Sequence, residues 1–307
     1  MSDPLVCRIE KKDGSIVKGI QAFFKDLLES KFIDALFLPM GKAKRASIMP
    51  ALVTDPALLG KSVPFSPCFP LNAGRMASRI SHRDSGRNTA VFMRPCEMKA
   101  FVELVKLKQG KRDELVLIGT DCCGALTWTD WAEYVYTHPL DGDDFVNRVF
   151  TNYLSAFDWD LNGLGFSMAC KTCEHPFPNN TDINLVLYGT DVLAGVLVQA
   201  VTKKGKKILE AMDLPQDEMP GNLSEIKEQV RAAGEKANEA MCLAIEEKTN
   251  TMAKLETFFD RCINCYNCRN MCPVCYCKEC VFNTDVFAHK PVQYFQWAQK
   301  KGQVKLP

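Results

Sequence analysis

Seven of the chain's 15 cysteines fall between Cys262 and Cys280. The first four form the run Cys262-x2-Cys265-x2-Cys268-x3-Cys272-Pro273, and Cys275, Cys277 and Cys280 follow. A cubane of iron and sulfide needs thiolates converging on separate irons from one short loop. Two-residue spacers let the backbone wrap that closely, and the proline ends the loop rigidly. Where two cubanes lie side by side, the fourth cysteine of such a run serves the other cluster. Cys272 is therefore open between two roles. With Cys275, Cys277 and Cys280 it makes four more thiolates, enough in number for a second cluster. Structural zinc usually pairs two C-x2-C knuckles across a spacer of about a dozen residues or more, which this density does not offer.

A second constellation starts at Cys170-x2-Cys173. Alone, a C-x2-C pair fits a zinc knuckle, a redox pair or chance. It gains weight from Cys96 and Cys122, each placed just after an apolar run that reads as a strand. Together the four could close one cubane. Cys123 stands beside Cys122 and is an alternative ligand. His175 lies two residues after Cys173; its role is either a hydrogen bond to the cluster or a surface loop. Cys7, Cys68 and Cys242 are isolated and read as core thiols, as Met241 and Leu243 read as packing residues.

These residues must be positioned by elements that the apolar periodicity outlines. Gln21–Lys31 has helical spacing, and Phe32–Leu38 reads as a buried strand. Ala90–Met93 is a second strand leading into Arg94-Pro95-Cys96. Met98–Leu107 is a helix, and Leu115–Gly119 a third strand ending at Cys122. Strands alternating with helices predict an α/β fold with a mainly parallel sheet, in which sites form at the carboxyl ends of the strands. Thr202–Lys207 reads as a solvated basic turn and residues 215–221 as a linker. Asn222–Thr249 reads as a long charged helix with an Asn222-x-x-Glu225 capping box, and Val292–Lys301 as a short closing helix.

Composition narrows the function classes. The chain has 307 residues, 47% hydrophobic and 24% charged, so two domains with ordinary cores are expected. A net charge of +1 gives no pull toward nucleic acid. No apolar run is long enough to span a bilayer, and the N-terminus has no secretory h-region, so a cytoplasmic protein without direct membrane insertion is expected. Cysteine richness in such a chain argues for metal or redox chemistry rather than disulfides. No G-x-G-x-x-G follows a strand, so a dinucleotide Rossmann site is unsupported.

Several segments resemble the beta-subunit family of coenzyme F420-reducing hydrogenases and F420-dependent formate dehydrogenases. Asp13-Gly14-Ser15-Ile16-Val17 resembles its flavin-side turn, and Phe65-Ser66-Pro67 its second loop. Arg94-Pro95-Cys96-Glu97-Met98 and Ile118-Gly119-Thr120-Asp121-Cys122 resemble its two strand-to-cysteine loops. Ala169-Cys170-Lys171-Thr172-Cys173 resembles its C-x2-C signature. The matches run in the family's order over residues 10–200. The resemblance implies one [4Fe–4S] cluster on Cys96, Cys122, Cys170 and Cys173, beside one FAD contacted by Gly14, Ser15, Lys18, Ser66 and Arg94. It implies a hydride exchange with F420 and single-electron exit through iron–sulfur. The single glycine of the flavin turn and the C-terminal extension, which resembles a ferredoxin, depart from the minimal subunit.

The expectation is thus a flavin and iron–sulfur domain over residues 1–214, a linker and helix over 215–255, and a ferredoxin-like iron–sulfur segment over 256–307. Two or three [4Fe–4S] clusters and FAD would pass electrons between a hydride carrier, F420 or NAD(P)H, and other redox subunits of a hetero-oligomeric complex of the heterodisulfide-reductase or formate-dehydrogenase type. No catalytic carboxylate or histidine is required. The alternative is a cluster-bearing relay without its own flavin.

Overall fold

The computed structural model describes residues 5–42, 47–65, 67–68, 71–137, 160–161, 164–192, 194–263, 265–277 and 289–303. It forms two compact units, Met1–Val274 and Cys275–Pro307. The first is built on a seven-stranded sheet of β1 (Val6–Glu10), β2 (Ala35–Lys42), β3 (Ser47–Val53), β4 (Thr89–Met93), β5 (Leu115–Thr120), β8 (Ile183–Val186) and β9 (Gly195–Ala200). Its order is β1-β9-β8-β5-β4-β2-β3. The pairs β2–β4, β4–β5 and β5–β8 are parallel, while β3 and β9 run against them at either side. β1 is antiparallel to β9, so it points the same way as the central four. The expected mainly parallel α/β sheet is present. A two-stranded ribbon, β6 (Asp160–Leu161) and β7 (Leu164–Gly165), stands apart from it.

Successive strand residues face opposite sides, and both sides are buried, as parallel sheets require. Leu36, Leu38, Ala90, Phe92, Val116 and Ile118 face α1 (Ile16–Glu29) and α6 (Lys203–Ala211). There Phe24, fully buried, meets Phe92 edge-on with ring centroids 5.3 Å apart. On the other side Phe37, Val91, Met93, Leu115 and Leu117 pack against α2 (Ala73–Ser81) and α3 (Pro95–Lys106). Val186 and Leu197 join Trp131 of α4 (Trp128–Thr137) and Leu223 and Val230 of α7 (Leu223–Thr249). A 3-10 helix, Pro56–Lys61, closes the edge beside β2 and β3.

Three expectations change. Thr202–Lys207 is not a turn but the start of α6: Thr202 Oγ1 accepts from the Gly205 N–H at 3.1 Å, an N-cap that the surrounding lysines obscured. The linker at 215–221 begins pinned to β1, where Arg8 N donates to Pro215 O at 2.8 Å, Asp217 N donates to Val6 O at 3.0 Å, and Arg8 pairs with Asp217. The long helix starts at Asn222 as expected, but the Asn222 side chain makes no capping hydrogen bond. α8 (Met252–Phe259) folds back on α7, and a one-turn α9 (Asn267–Met271) ends the first unit's cysteine run. Between α4 and α6 lies α5 (Met168–Lys171). In the second unit α10 (Pro291–Lys301) runs to Gly302, and its Trp297 meets His289 edge-on at 4.9 Å.

Asp182, 2% exposed, locks three of these pieces together. Its Oδ2 accepts from the Leu117 N–H of β5 at 2.8 Å, and its Oδ1 from Thr202 Oγ1 at 2.7 Å. Arg112 pairs with the same oxygen at 3.1 Å. Burial opposes ionisation, but Arg112, the Leu117 amide and Thr202 outweigh it and hold the carboxyl below its ordinary value. A carboxyl lowered in the folded state contributes stability above the unfolded value of about 3.9 and loses it as pH falls through the folded one. Asp182→Ala should cost about 2–3 kcal/mol at neutral pH. It should also flatten the acid limb of a pH–stability curve measured by urea unfolding; an unchanged limb would dissociate Asp182 from the fold's acid sensitivity.

Candidate functional site

The carboxyl ends of β4 and β5 carry the site. β4 ends at Met93, and Arg94 becomes the N-cap of α3, with Pro95 at its first position and Cys96 next. Glu97 holds this corner. Its Oε2 accepts from the Arg94 N–H and its Oε1 from the Ala73 N–H of α2, both at 2.9 Å. One buried carboxylate thereby ties the starts of two helices together. The sequence carried the signal, a Glu three residues after the cap position, but gave no hint of the bond to α2.

β5 ends at Thr120, and Asp121 turns the chain. Its Oδ2 accepts from the Leu187 and Tyr188 amides at 2.9 and 3.3 Å. Burial pushes this carboxyl up to about 6, against the pull of those two amides. Cys122 follows, its amide donating to Pro176 O at 2.9 Å and its carbonyl accepting from Tyr188 Oη at 3.0 Å. The Gly124 N–H reaches the Cys122 sulfur at 3.4 Å.

Cys170 and Cys173 stand on and just after the single turn of α5. Cys170 N donates to Ser167 O at 2.9 Å and Cys173 N to Cys170 O at 3.2 Å. α7 lies directly on this turn. A Cβ at Gly234 would stand 2.3 Å from the Cys173 carbonyl oxygen, so only glycine permits the contact. One turn on, Asn238 Nδ2 donates to Glu174 Oε1 at 2.5 Å. The long helix thus clamps the C-x2-C loop, a role its sequence did not reveal.

These loops bring Cys96, Cys122, Cys170 and Cys173 into one electrostatic neighbourhood. Cys122 and Cys170 each act on Cys96, and Cys170 and Cys173 act on Cys122. Arg94, 5% exposed, is desolvated nearby and feels Cys122, Glu97, Cys96 and Cys170 in turn. Burial pushes the Cys122 thiol up to about 12. Cys96 is open to solvent at the mouth, yet the protein crowded around it raises its thiol too, through desolvation and then Cys122. Burial also raises Cys173, while the backbone N–H of His175 donates to its sulfur and lowers it. His175 therefore acts through its amide, and its ring is exposed. Cys123 is raised well above its ordinary value by burial and packs against both apolar clusters at the sheet. Among the described residues no three Cys, His, Asp or Glu side chains close on one metal ion. A cubane differs in that each thiolate meets a different iron.

The remaining candidates are more dispersed. Asp13 and Gly14 both have positive φ, 50° and 76°, and form a two-residue turn closed by paired Lys12–Ser15 backbone bonds of 3.0 Å. Ser15 Oγ caps α1 by accepting from the Lys18 N–H at 3.1 Å, and Lys18 pairs with Asp13 at 3.6 Å. Gly14 leaves open space on its free side. This turn springs from β1, separated from β4 and Arg94 by β9, β8 and β5. Ser66 lies outside the described residues. Beside Arg94 and Glu97, a narrow pocket of ≈ 20 Å³ is walled by Phe37, Pro39, Ile48, Pro50 and Phe92.

In the C-terminal run, Cys262 N donates to Phe259 O at 2.9 Å and Cys272 N to Cys268 O at 3.1 Å. Tyr266, with φ 57°, turns the chain into α9, which puts Cys268 and Cys272 on one face. Cys262, Cys265 and Cys268 are exposed and Cys272 half-buried. Cys275 and Cys277 belong to the second unit, and Cys280 lies outside the described residues. Of the isolated cysteines, Cys7 and Cys68 are buried as expected. Cys242 is exposed and Leu243 is 58% exposed, because the second half of α7 buries no residue among those described.

No family model matches the chain. It is 27% identical over 309 aligned positions to the F420-dependent formate dehydrogenase 1 subunit beta of Methanococcus maripaludis, covering 92% of this chain and 77% of that protein. It is 26% identical over 294 positions to the F420-dependent formate dehydrogenase subunit beta of Methanocaldococcus jannaschii, covering 89% and 76%. A chain from the F420-reducing [NiFe] hydrogenase complex of Methanosarcina barkeri shares the fold, with a TM-score of 0.54 at 16% identity over 81% of this chain and 94% of that one. The resemblance read from the cysteine loops is borne out.

The clamp on the C-x2-C loop can be tested directly. Gly234→Ala should cost about 1–3 kcal/mol by overpacking against the Cys173 carbonyl. It should also speed thiol alkylation at Cys170 and Cys173 in metal-free protein, as followed by peptide mass spectrometry. The exposed Lys236→Ala control should change neither.

Proposed function

We propose that this chain is an oxidoreductase subunit that passes electrons between a hydride carrier and iron–sulfur clusters of a larger redox complex. Its relatives are named as beta subunits of F420-dependent formate dehydrogenases, so coenzyme F420 is the first choice of carrier and NAD(P)H the second. The observation that supports the reading is that Cys96, Cys122, Cys170 and Cys173, from three loops, lie within electrostatic reach of one another, with the buried Arg94 near by.

Four thiols and no competing carboxylate ligand are a donor set for [4Fe–4S], which supplies one-electron transfer when bound. Glu97 fixes the approach of Cys96, Asp121 that of Cys122, and α7 that of Cys170 and Cys173. The Gly124 and His175 amides already donate to the Cys122 and Cys173 sulfurs, and hydrogen bonds of this kind raise a cluster's potential. Loading requires these buried thiols to release their protons, which the cationic Arg94 favours.

A flavin, FAD by resemblance, supplies the exchange of a two-electron hydride for single electrons. Gly14 leaves room for a close approach at the α1 start, whereas the apolar pocket beside Arg94, ≈ 20 Å³, takes no more than a water-sized group. Gly14, Ser15, Lys18, Ser66 and Arg94 are the proposed contacts. Cys262, Cys265, Cys268 and Cys272, followed by Cys275, Cys277 and Cys280, would hold one or two further clusters and lead electrons to partner subunits. On this reading residues 1–214 hold the flavin and first cluster, 215–255 join them to the tail, and 256–307 form the tail itself. No helix among the described residues is long and apolar enough to cross a membrane; a cytoplasmic complex is proposed.

Anaerobic purification with iron, sulfide and flavin analysis tests this. About eight irons or more per chain with one FAD is expected, and Cys170→Ser with Cys173→Ser should remove about four irons. Zinc in place of iron would end the electron-transfer reading. Iron without flavin would leave a relay that takes its electrons from another subunit.

A further inference from the structure

Two guanidinium groups line the cleft where the 262–272 run meets the body of the first unit, and a third belongs to the run itself. Arg269 lies within the run, between Cys268 and Cys272. It rests over the Tyr266 ring at 5.1 Å, and its Nη1 is buried with no acceptor among the described residues. Every guanidinium N–H is a donor that cannot be discarded, and a buried one without an acceptor is costly. On the body side, Arg75 and Arg79 stand one turn apart on α2 and line a cleft of ≈ 220 Å³ shared with Asn270, Met271 and Cys272. Arg75 Nη1 reaches Asn270 O at a long 3.5 Å. No acidic side chain lines that cleft among the described residues. Cations collected without carboxylates, one of them holding an unused buried donor, suit an anion that arrives later. A cluster bearing thiolates is such an anion, and its sulfurs accept N–H bonds.

We propose that Arg269 donates a hydrogen bond to sulfur of the cluster held by the 262–272 run, and that Arg75 and Arg79 complete a cationic seat which raises that cluster's potential and fixes the run on α2. The inference rests on the iron–sulfur reading above. Its consequence is a short route through one helix. The N-terminal amide of α2, at Ala73, is bonded to Glu97 beside Cys96, while Arg75, two residues on, touches Asn270 beside the tail cysteines. The same rigid element therefore abuts both cysteine groups. Arg75, Arg79 and Arg269 are positioning residues: they need not touch a substrate.

The test uses the anaerobically purified, fully loaded chain in a potentiometric titration read by electron paramagnetic resonance. The tail signal is assigned by its loss in Cys262→Ser with Cys265→Ser. Arg269→Gln should shift that signal's midpoint negative by about 59 mV, a tenfold change in the one-electron equilibrium, with iron content unchanged. Arg269→Lys should restore part of the shift. Should Arg269→Gln fail to load, the double variant Arg75→Ala with Arg79→Ala carries the test. It is expected to shift the same midpoint negative and to weaken the spin coupling between the two reduced clusters. Midpoints and coupling that stay put in loaded Arg269→Lys and double-alanine protein would overturn the proposal while leaving the iron–sulfur reading intact. A wild-type chain whose iron content does not fall when the tail cysteines are removed would overturn both.

Discussion

Bringing four thiols from three loops within electrostatic reach of one buried guanidinium is the constraint that the first unit is arranged to satisfy. Desolvation lowers Arg94 and raises Cys96, Cys122 and Cys173. Cys96 sits in the first turn of α3, and the others stand at a strand end or on and beside a single helical turn, where the backbone has the most freedom to relax away. The sheet supplies the remedy. Its parallel strands end together, so loops separated by long stretches of chain open at one edge. Both faces of those strands are buried, so the edge itself has little room to move.

A second tier of polar groups then fixes the loops. Glu97 and Asp121 are buried carboxylates that spend their oxygens on backbone amides rather than on arginine or solvent. A carboxylate used this way orients a turn more strictly than apolar packing, because losing it strands two amides at once. The third loop, Cys170–Cys173, has no such carboxylate. Its single helical turn is held from outside by α7, through a contact that only glycine allows at position 234. The long helix thus belongs to the cysteine site as much as to the tail it leads toward.

What the sequence disclosed follows from how local each feature is. Strands β4 and β5, helix α3 and the cysteine positions were readable because apolar runs and thiol spacing are local patterns. The C-terminal run was the most legible feature, since three of its cysteines sit within seven residues and need no fold to bring them together. The α6 start was misread because four lysines masked a Thr202 cap. The part played by α7 was invisible because it depends on one glycine meeting a carbonyl some sixty residues away in the chain. The bond from Glu97 to α2 was hidden for the same reason: an N3 glutamate predicts a bond to its own cap, and nothing in the sequence names a second helix. The flavin turn shows the opposite limit. Its residues form the expected tight turn at the start of α1, yet the sheet order sets them apart from Arg94.

The two cysteine groups therefore represent two ways of gathering thiols, and they place different demands on the chain. The tail run needs only a left-handed residue at Tyr266 and one turn of helix, so it can preserve its spacing while its surroundings change. The inner group depends on a sheet, two carboxylates and a clamp, so small errors far from sulfur displace it. A relay that joins them must reconcile a self-sufficient loop with a rigid body, and α2 is the element with the means to do so. One end of α2 is tied to the corner that carries Cys96, and its basic face meets the tail run. Any shift of α2 acts on both groups at once, so the spacing between them is set by one helix rather than by the long α7–α8 excursion that connects them in sequence.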